Sequence, residues 1–200
     1  KKKARSKKSQ EVRINSGRLR GRKIVFPDVE GLRPTLGRSR EALFNWLRPM
    51  LPETTCLDLF AGSGALGLEA ASNGASHVTF VEQQRQVADC LRSSLETLDL
   101  LDQSTLTVGD GLTVLRQSSE PFDVIFLDPP FAANELLEQT LELIVERKLL
   151  GQWLYLEHDQ TQRAAVEALL TGLELAIHKS TTAGTTSSLL IGIHEALIKS

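Results

Sequence analysis

DLFAGSGALGLEA, residues 58–70, sets a glycine-rich turn between an apolar run and a helix-like run. The apolar residues from 55 to 60 read as a buried strand and residues 65–73 as a helix, so the stretch is a strand–turn–helix unit of an α/β sheet. Gly62-x-Gly64-x-x-Gly67 has the dinucleotide-binding spacing, and Glu82 lies 20 residues beyond Gly62, where a ribose-binding acid belongs. Asp58, directly before the loop, points to a different ligand.

The same alternation continues outward. Strands are expected at about 55–60, 77–82, 104–109, 122–128 and 152–158, with helices at about 65–73, 84–98, 111–118, 135–147 and 161–170. Strands separated by helices imply right-handed crossovers and a doubly wound, Rossmann-like parallel sheet covered on both faces. Two more strands, at about 173–179 and 185–193, have no helix between them and should pair antiparallel. Ligands on such sheets bind beyond the carboxyl ends of the strands. That edge collects Asp58 through Gly67, Glu82, Asp110 and the run Asp128–Phe131, each following an apolar strand.

The charge of the ligand decides which cofactor this edge holds. A pyrophosphate wants bare backbone N–H groups at a helix N-terminus, and Asp58 would set a carboxylate beside it. S-adenosylmethionine has no phosphate and carries an ammonium and a sulfonium, for which a nearby carboxylate is attractive. The loop glycines then allow close backbone approach to the methionine moiety. Glu82 can take the ribose hydroxyls, and Asp110, between Gly109 and Gly111, can accept from the adenine amino group. Phe60, Ser63 and Gln83 flank these positions and complete the expected cofactor set in this part of the chain.

FDVIFLDPPF, residues 122–131, carries the chemistry. An exocyclic amino nitrogen is a poor nucleophile because its lone pair is delocalised into the ring. Acceptors aimed at its N–H groups localise that pair. Asp128 supplies one acceptor and the carbonyl of Pro129 another, with Pro129 and Pro130 fixing the turn and Phe131 stacking on the base. Such a site works by positioning and preorganised electrostatics, and needs neither a metal nor a covalent nucleophile. Methylation at carbon 5 of a pyrimidine would need an activated cysteine. Cys56 enters a buried strand and Cys90 sits mid-helix, so neither suits that role. His77, His158, His178 and His194 are scattered and read as structural or exposed.

Residues 1–50 hold 15 basic and 4 acidic side chains, whereas the remainder hold 8 and 21. A basic arm on an acidic body is an electrostatic address for polyanions. Residues 1–10 lack periodicity and are expected to be a disordered basic tail. EVRIN (11–15) and RKIVF (22–26) flank SGRLRG and predict a hairpin with an arginine-rich tip, Arg13, Arg18, Arg20, Arg22 and Lys23 meeting nucleic-acid phosphates. Ser39 is placed to cap a helix bearing Ala42, Leu43, Phe44, Trp46 and Leu47, ended by Pro49 and Pro52. Residues 11–52 are thus expected to form a hairpin and helix that meet a nucleic acid, and 53–200 the catalytic domain. No apolar stretch approaches the length of a membrane span, no signal-like apolar core follows the lysines, and two cysteines fit a reducing cytoplasm.

These motifs carry a resemblance. GRLRGRKI, LRPTLGRSREALFNWL, LDLFAGSGALGLEA, VEQ and LDPPF together resemble the bacterial 16S ribosomal RNA guanine-N2 methyltransferases, from about Arg13 to the C-terminus. The resemblance implies a seven-stranded class I methyltransferase fold with an antiparallel last strand. It implies S-adenosylmethionine as cofactor, and ribosomal RNA or a small-subunit assembly particle as partner of a monomer. It also implies that Arg33, Thr35 and Arg38 lie over the methionine end of the cofactor. The TTSS run, residues 185–188, is more polar than such a final strand leads one to expect.

Other readings use the same residues. An amino methyltransferase acting on DNA adenine or cytosine, or on a protein glutamine, would use the same edge, although Asn-Pro-Pro-Tyr is the more familiar glutamine-directed motif. A non-catalytic RNA-binding module on this scaffold would have no use for the intact acids Asp58, Glu82, Asp110 and Asp128. An NAD oxidoreductase would have to tolerate Asp58.

Overall fold

The computed structural model describes residues 9–28, 37–130 and 134–193, without the side chains of residues 37–39. Its elements are β1 (Ser9–Arg13), β2 (Lys23–Pro27), α1 (Gly37–Leu47), β3 (Thr55–Asp58), α2 (Ala65–Ser72), β4 (His77–Glu82), α3 (Arg85–Thr97), β5 (Ser104–Val108), α4 (Gly111–Gln117), β6 (Phe122–Leu127), α5 (Asn134–Glu146), β7 (Leu150–Asp159), α6 (Arg163–Gly172), β8 (Leu175–Ala183) and β9 (Thr186–Ile193). β1 and β2 form the expected hairpin, and the other seven strands form one sheet in the order β5-β4-β3-β6-β7-β9-β8. β9 runs antiparallel to both of its neighbours, and the remaining pairings are parallel. Among the described residues no helix is long and apolar enough to cross a membrane.

Strand alternation sends successive side chains to opposite faces, and two cores result. One joins Cys56, Phe80, Phe126, Tyr155 and Leu190 to α1, α2 and α3. The other joins Leu57, Val81, Ile125, Leu127, Leu154 and Ile191 to α4, α5 and α6. α1 seats on the first face through Phe44, whose ring lies 6.0 Å from that of Phe126, itself 6.4 Å edge-on from Tyr155. Ser39 falls inside α1 rather than ahead of it, since the helix begins at Gly37, and a 3-10 turn at Arg48–Met50 containing Pro49 follows. Ser9 and Gln10, read from sequence as tail, pair with Pro27 and Phe26. The tail at residues 1–8 lies outside the described residues.

The hairpin is docked by its tip onto α2. Gly17 takes φ +76°, and a Cβ there would sit 2.0 Å from the Ser72 carbonyl oxygen. The Arg18 amide donates to that oxygen at 2.8 Å, and the Leu19 amide donates to Ser72 Oγ at 2.9 Å. Glu69 of α2, wholly buried, accepts from the amides of Asn15 and Ser16 and from Ser16 Oγ. Ile14 and Ile24 of the hairpin join the same core as the sheet.

Candidate active site

The register across the sheet explains how the acids meet. Asp58 pairs with Phe80 on one side and Phe126 on the other, and Phe126 pairs with Tyr155. Two residues further along β4, β6 and β7 come Glu82, Asp128 and Glu157, on the same face by alternation. β9 sets Ser188 opposite Glu157. The carboxyl edge of the sheet therefore carries an acidic row over one core, with Asp58 just beneath it.

Asp58 is 2 % exposed, and its Oδ2 accepts the Gly67 amide at 2.9 Å. Burial pushes its carboxyl up to about 7; the Gly67 bond opposes this, and the charges of Asp128 and Glu82 add to it. Glu82 accepts from the Gly62 amide at 2.8 Å and from the Gln84 amide at 2.7 Å. The Gly64 amide donates to the Ala61 carbonyl at 2.7 Å. All three fingerprint amides are thus engaged within the protein, two of them by carboxylates. A pyrophosphate would find negative charge where it needs donors, which answers the question raised by the glycine spacing.

The glycines themselves serve the turn and its packing. Gly62 and Gly64 take φ +52° and +77°, which disfavours a side chain. A Cβ on Gly64 would lie 2.4 Å from Leu91, and one on Gly67 would lie 2.3 Å from the Phe80 ring. At these two positions the close approach is to protein. Gly111 likewise faces Leu59 at 3.2 Å, whereas Gly109 has open space. Phe60 is half-buried, Ser63 buried and Gln83 exposed.

Asp110 caps α4, accepting from Thr113 N and Oγ1, each at 2.9 Å. These bonds hold its exposed carboxyl below the usual range. Asp128 is half-buried directly after β6, Pro129 buried and Pro130 exposed. Phe131, Arg33 and Thr35 lie outside the described residues, and Arg38 is described only as backbone in the first turn of α1. His194 also lies outside. Burial pushes the Cys56 thiol up to about 12, so it supplies no thiolate at neutral pH.

Sequence reading passed over Tyr155, Glu157 and Ser188. Glu157 is 3 % exposed, and the Tyr155 hydroxyl donates to it while lying 3.1 Å from Ser188 Oγ. The polar TTSS run thereby finds its place, because Thr186, Ser187 and Ser188 are buried against β7. An acid two residues after a tyrosine in WLYLEHD was the available signal.

Arg13, Arg18, Arg20, Arg22 and Lys23 are all exposed on the hairpin. Their contacts are light. Arg18 reaches Gln103 Oε1 at 3.4 Å, Arg22 the Thr97 carbonyl at 3.2 Å, and Lys23 pairs with Glu11 at 3.0 Å. A groove of about 800 Å³ runs between β2 and α3, with Lys23, Val25 and Arg85 in its lining.

A family model described as conserved hypothetical protein 95 matches residues 12–191. The ribosomal RNA small subunit methyltransferase D of Haemophilus influenzae is 47 % identical over 143 residues, covering 70 % of this chain and 74 % of that protein. Its Escherichia coli K12 counterpart is 43 % identical over 143 residues, covering 72 % and 71 %. The chain belongs to the ribosomal RNA small subunit methyltransferase D family. A solved Escherichia coli structure carrying a methyltransferase name superimposes with a TM-score of 0.78 at 35 % identity, over 92 % of this chain and 98 % of that one. For methyltransferase D relatives with this class I fold the cofactor is S-adenosylmethionine. The donor set fits it. An edge bearing the carboxyls of Asp58, Glu82, Asp110 and Asp128 suits a cation and hydroxyl groups rather than phosphates.

Proposed function

We propose that the chain transfers a methyl group from S-adenosylmethionine to the exocyclic N2 of a guanine in small-subunit ribosomal RNA. The observation that carries this reading is the place of Asp128-Pro129-Pro130 in the acidic row, one strand from Asp58. Family membership supports the ribosomal RNA, and the exposed hairpin arginines supply the cationic surface for its phosphates.

Asp58 and Glu82 would hold the cofactor's methionine and ribose parts, with Asp110 toward the adenine. Phe60, Ser63, Gln83 and Gly111 line the same stretch, and Arg33, Thr35 and Arg38 belong with the methionine end. When bound, S-adenosylmethionine supplies an electrophilic methyl group. Asp128 accepts a hydrogen bond from the guanine amino group, and the Pro129 carbonyl accepts a second. Together they hold the nitrogen lone pair toward the methyl and favour its pyramidal form. Transfer would form the N–C bond as the S–C bond to the methyl breaks, the neutral thioether being the leaving group, and Asp128 would take the amino proton along its hydrogen bond and pass it to solvent. Phe131 stacks on the base. The protein acts as a monomer in the cytoplasm on an assembling small-subunit particle.

Incubation with labelled cofactor and separate pools of ribosomal RNA, DNA and protein, followed by nucleoside mass spectrometry, tests the proposal. N2-methylguanosine in 16S RNA is the expected product. Label confined to DNA adenine or cytosine, or to protein glutamine, would transfer the same chemistry to the alternative acceptor, and no label at all would leave an RNA-binding module.

A further inference from the structure

The acidic row contains one member that the proposed reaction does not use. Glu157 is 3 % exposed, next to Asp128 in the row, and bonded to the hydroxyl of Tyr155, which also meets Ser188. A buried and a half-buried carboxylate at adjacent strand ends repel if both are charged. Resting on the reading of Asp128 as the amino-group acceptor, we propose that Glu157, fixed in place by the Tyr155 hydroxyl, is a positioning residue which, held as the neutral acid by its buried setting beside Asp128, leaves the negative charge of the pair on Asp128.

The surroundings agree. Burial pushes the Glu157 carboxyl up to about 8, the Asp128 charge pushes in the same direction, and the Tyr155 bond opposes them. Burial pushes the Tyr155 hydroxyl well above its ordinary range, so it keeps its proton and stays a donor. Among the described residues, the groups facing Glu157 are Asp128 after β6, Tyr155 from its own strand and the Ser188 hydroxyl from β9. On α1, which covers this face, Arg40 is turned to Glu69 and Glu41 is exposed. His158, the next residue along β7, points to the opposite face by alternation.

The device has a direction. Below about pH 8 Glu157 carries its proton and Asp128 is the lone charged acceptor. Above that pH Glu157 ionises, the two charges at adjacent strand ends repel, and Asp128 is pushed out of line with the amino group. Wild-type kcat on ribosomal RNA should therefore decline above about pH 8 with KM for the cofactor unchanged. Glu157→Ala should lose tenfold or more in kcat. Glu157→Gln, permanently neutral and able to accept from Tyr155, should restore most of that loss and remove the alkaline decline. Superimposable pH profiles for Glu157→Gln and wild type would overturn the proposal. A readout independent of activity is the ¹³C carboxyl resonance of Glu157, assigned by its loss in Glu157→Gln. Asp128→Asn should lower its titration midpoint by half a pH unit or more, and an unmoved midpoint overturns the proposal whatever the activity. Absence of ribosomal RNA methylation by the wild-type chain would instead sink the functional reading, and the resonance would still report on the pair.

Discussion

Arg40 and Glu69 form an ion pair at 3.6 Å with both side chains almost wholly buried. Arg40 also donates to the Arg13 carbonyl at 2.7 Å and to Asn15 Oδ1 at 3.3 Å. The pair therefore joins three segments: the hairpin, α1, and the helix that leaves the cofactor turn. Burial holds the Arg40 guanidinium below its ordinary range, and Glu69 opposes that. Glu69→Ala would strand a buried cation and three hairpin donors. A loss of about 3–5 kcal/mol in unfolding free energy is expected, the range for breaking one side of a buried pair. Urea denaturation measures it. A change under about 1 kcal/mol would mean that water replaces the carboxylate freely.

The Asp58 carboxyl gives cofactor binding a pH dependence. Its folded value of about 7 lies above the roughly 3.9 of an unperturbed aspartate. The folded state thus binds more protons over that interval, and the contribution of Asp58 to stability falls as pH rises from about 4 to 7. A cation bound beside it favours the ionised form and expels the proton. Affinity for S-adenosylmethionine should rise from pH 6 to 8 and then level off, with proton release visible by calorimetry in buffers of different ionisation heat. Asp58→Asn should flatten this curve, and an equally steep curve in that variant would place the titrating group elsewhere.

Asp128→Asn keeps the shape of the turn and weakens the acceptor. A loss in kcat of about 10²-fold or more is expected, the scale of removing one preorganised electrostatic partner, with cofactor affinity changed only a few-fold. Pre-steady-state methyl transfer and equilibrium binding separate the two effects. An equal loss in both would make Asp128 a cofactor ligand first.

Gly67→Ala places a methyl 2.3 Å from the Phe80 ring. Overpacking of this kind costs about 1–3 kcal/mol, and thermal unfolding should show it. Phe80→Leu in the same chain should recover part of the loss. If the double variant is no better than the single, the strain lies in the turn and not at the ring.

On the proposed reading, the hairpin arginines should make RNA binding salt-dependent. Neutralising Arg18, Arg20 and Arg22 together should lower the slope of log affinity against log salt by about 0.7–0.9 for each phosphate that keeps its counterions as a result. Filter binding from 50 to 300 mM salt measures the slope. An unchanged slope would mean that the RNA approaches another face.

Much of this architecture was readable in the chain because each acid at the carboxyl edge closes its own apolar run. Asp58, Glu82, Asp110 and Asp128 follow strands whose ends are marked by glycine, glutamine or proline, and local pattern was enough. Glu157 was not readable in that way. It lies inside β7, which runs longer than its pattern indicated, and its meaning comes from the pairing of Phe126 with Tyr155, a relation between strands. Glu69 presents the same difficulty. On α2 alone it reads as a surface acid, and only a hairpin more than 50 residues earlier in the chain buries it. Serines 187 and 188 look out of place until β7 is set beside them. Local periodicity encodes elements, whereas the reason for a buried polar group resides in what docks against it.

The position of β9 constrains how the molecule is made. It lies between β7 and β8 and supplies Ser188 to the Tyr155–Glu157 pair. During synthesis the hairpin, the glycine turn and the double-proline corner all emerge earlier. Until residues 186–193 have left the ribosome, β7 has a bare edge and Glu157 lacks its neighbour. A nascent chain can therefore assemble the glycine turn well before the Tyr155–Glu157 pair gains its last neighbour, which arrives with the insertion of a single strand.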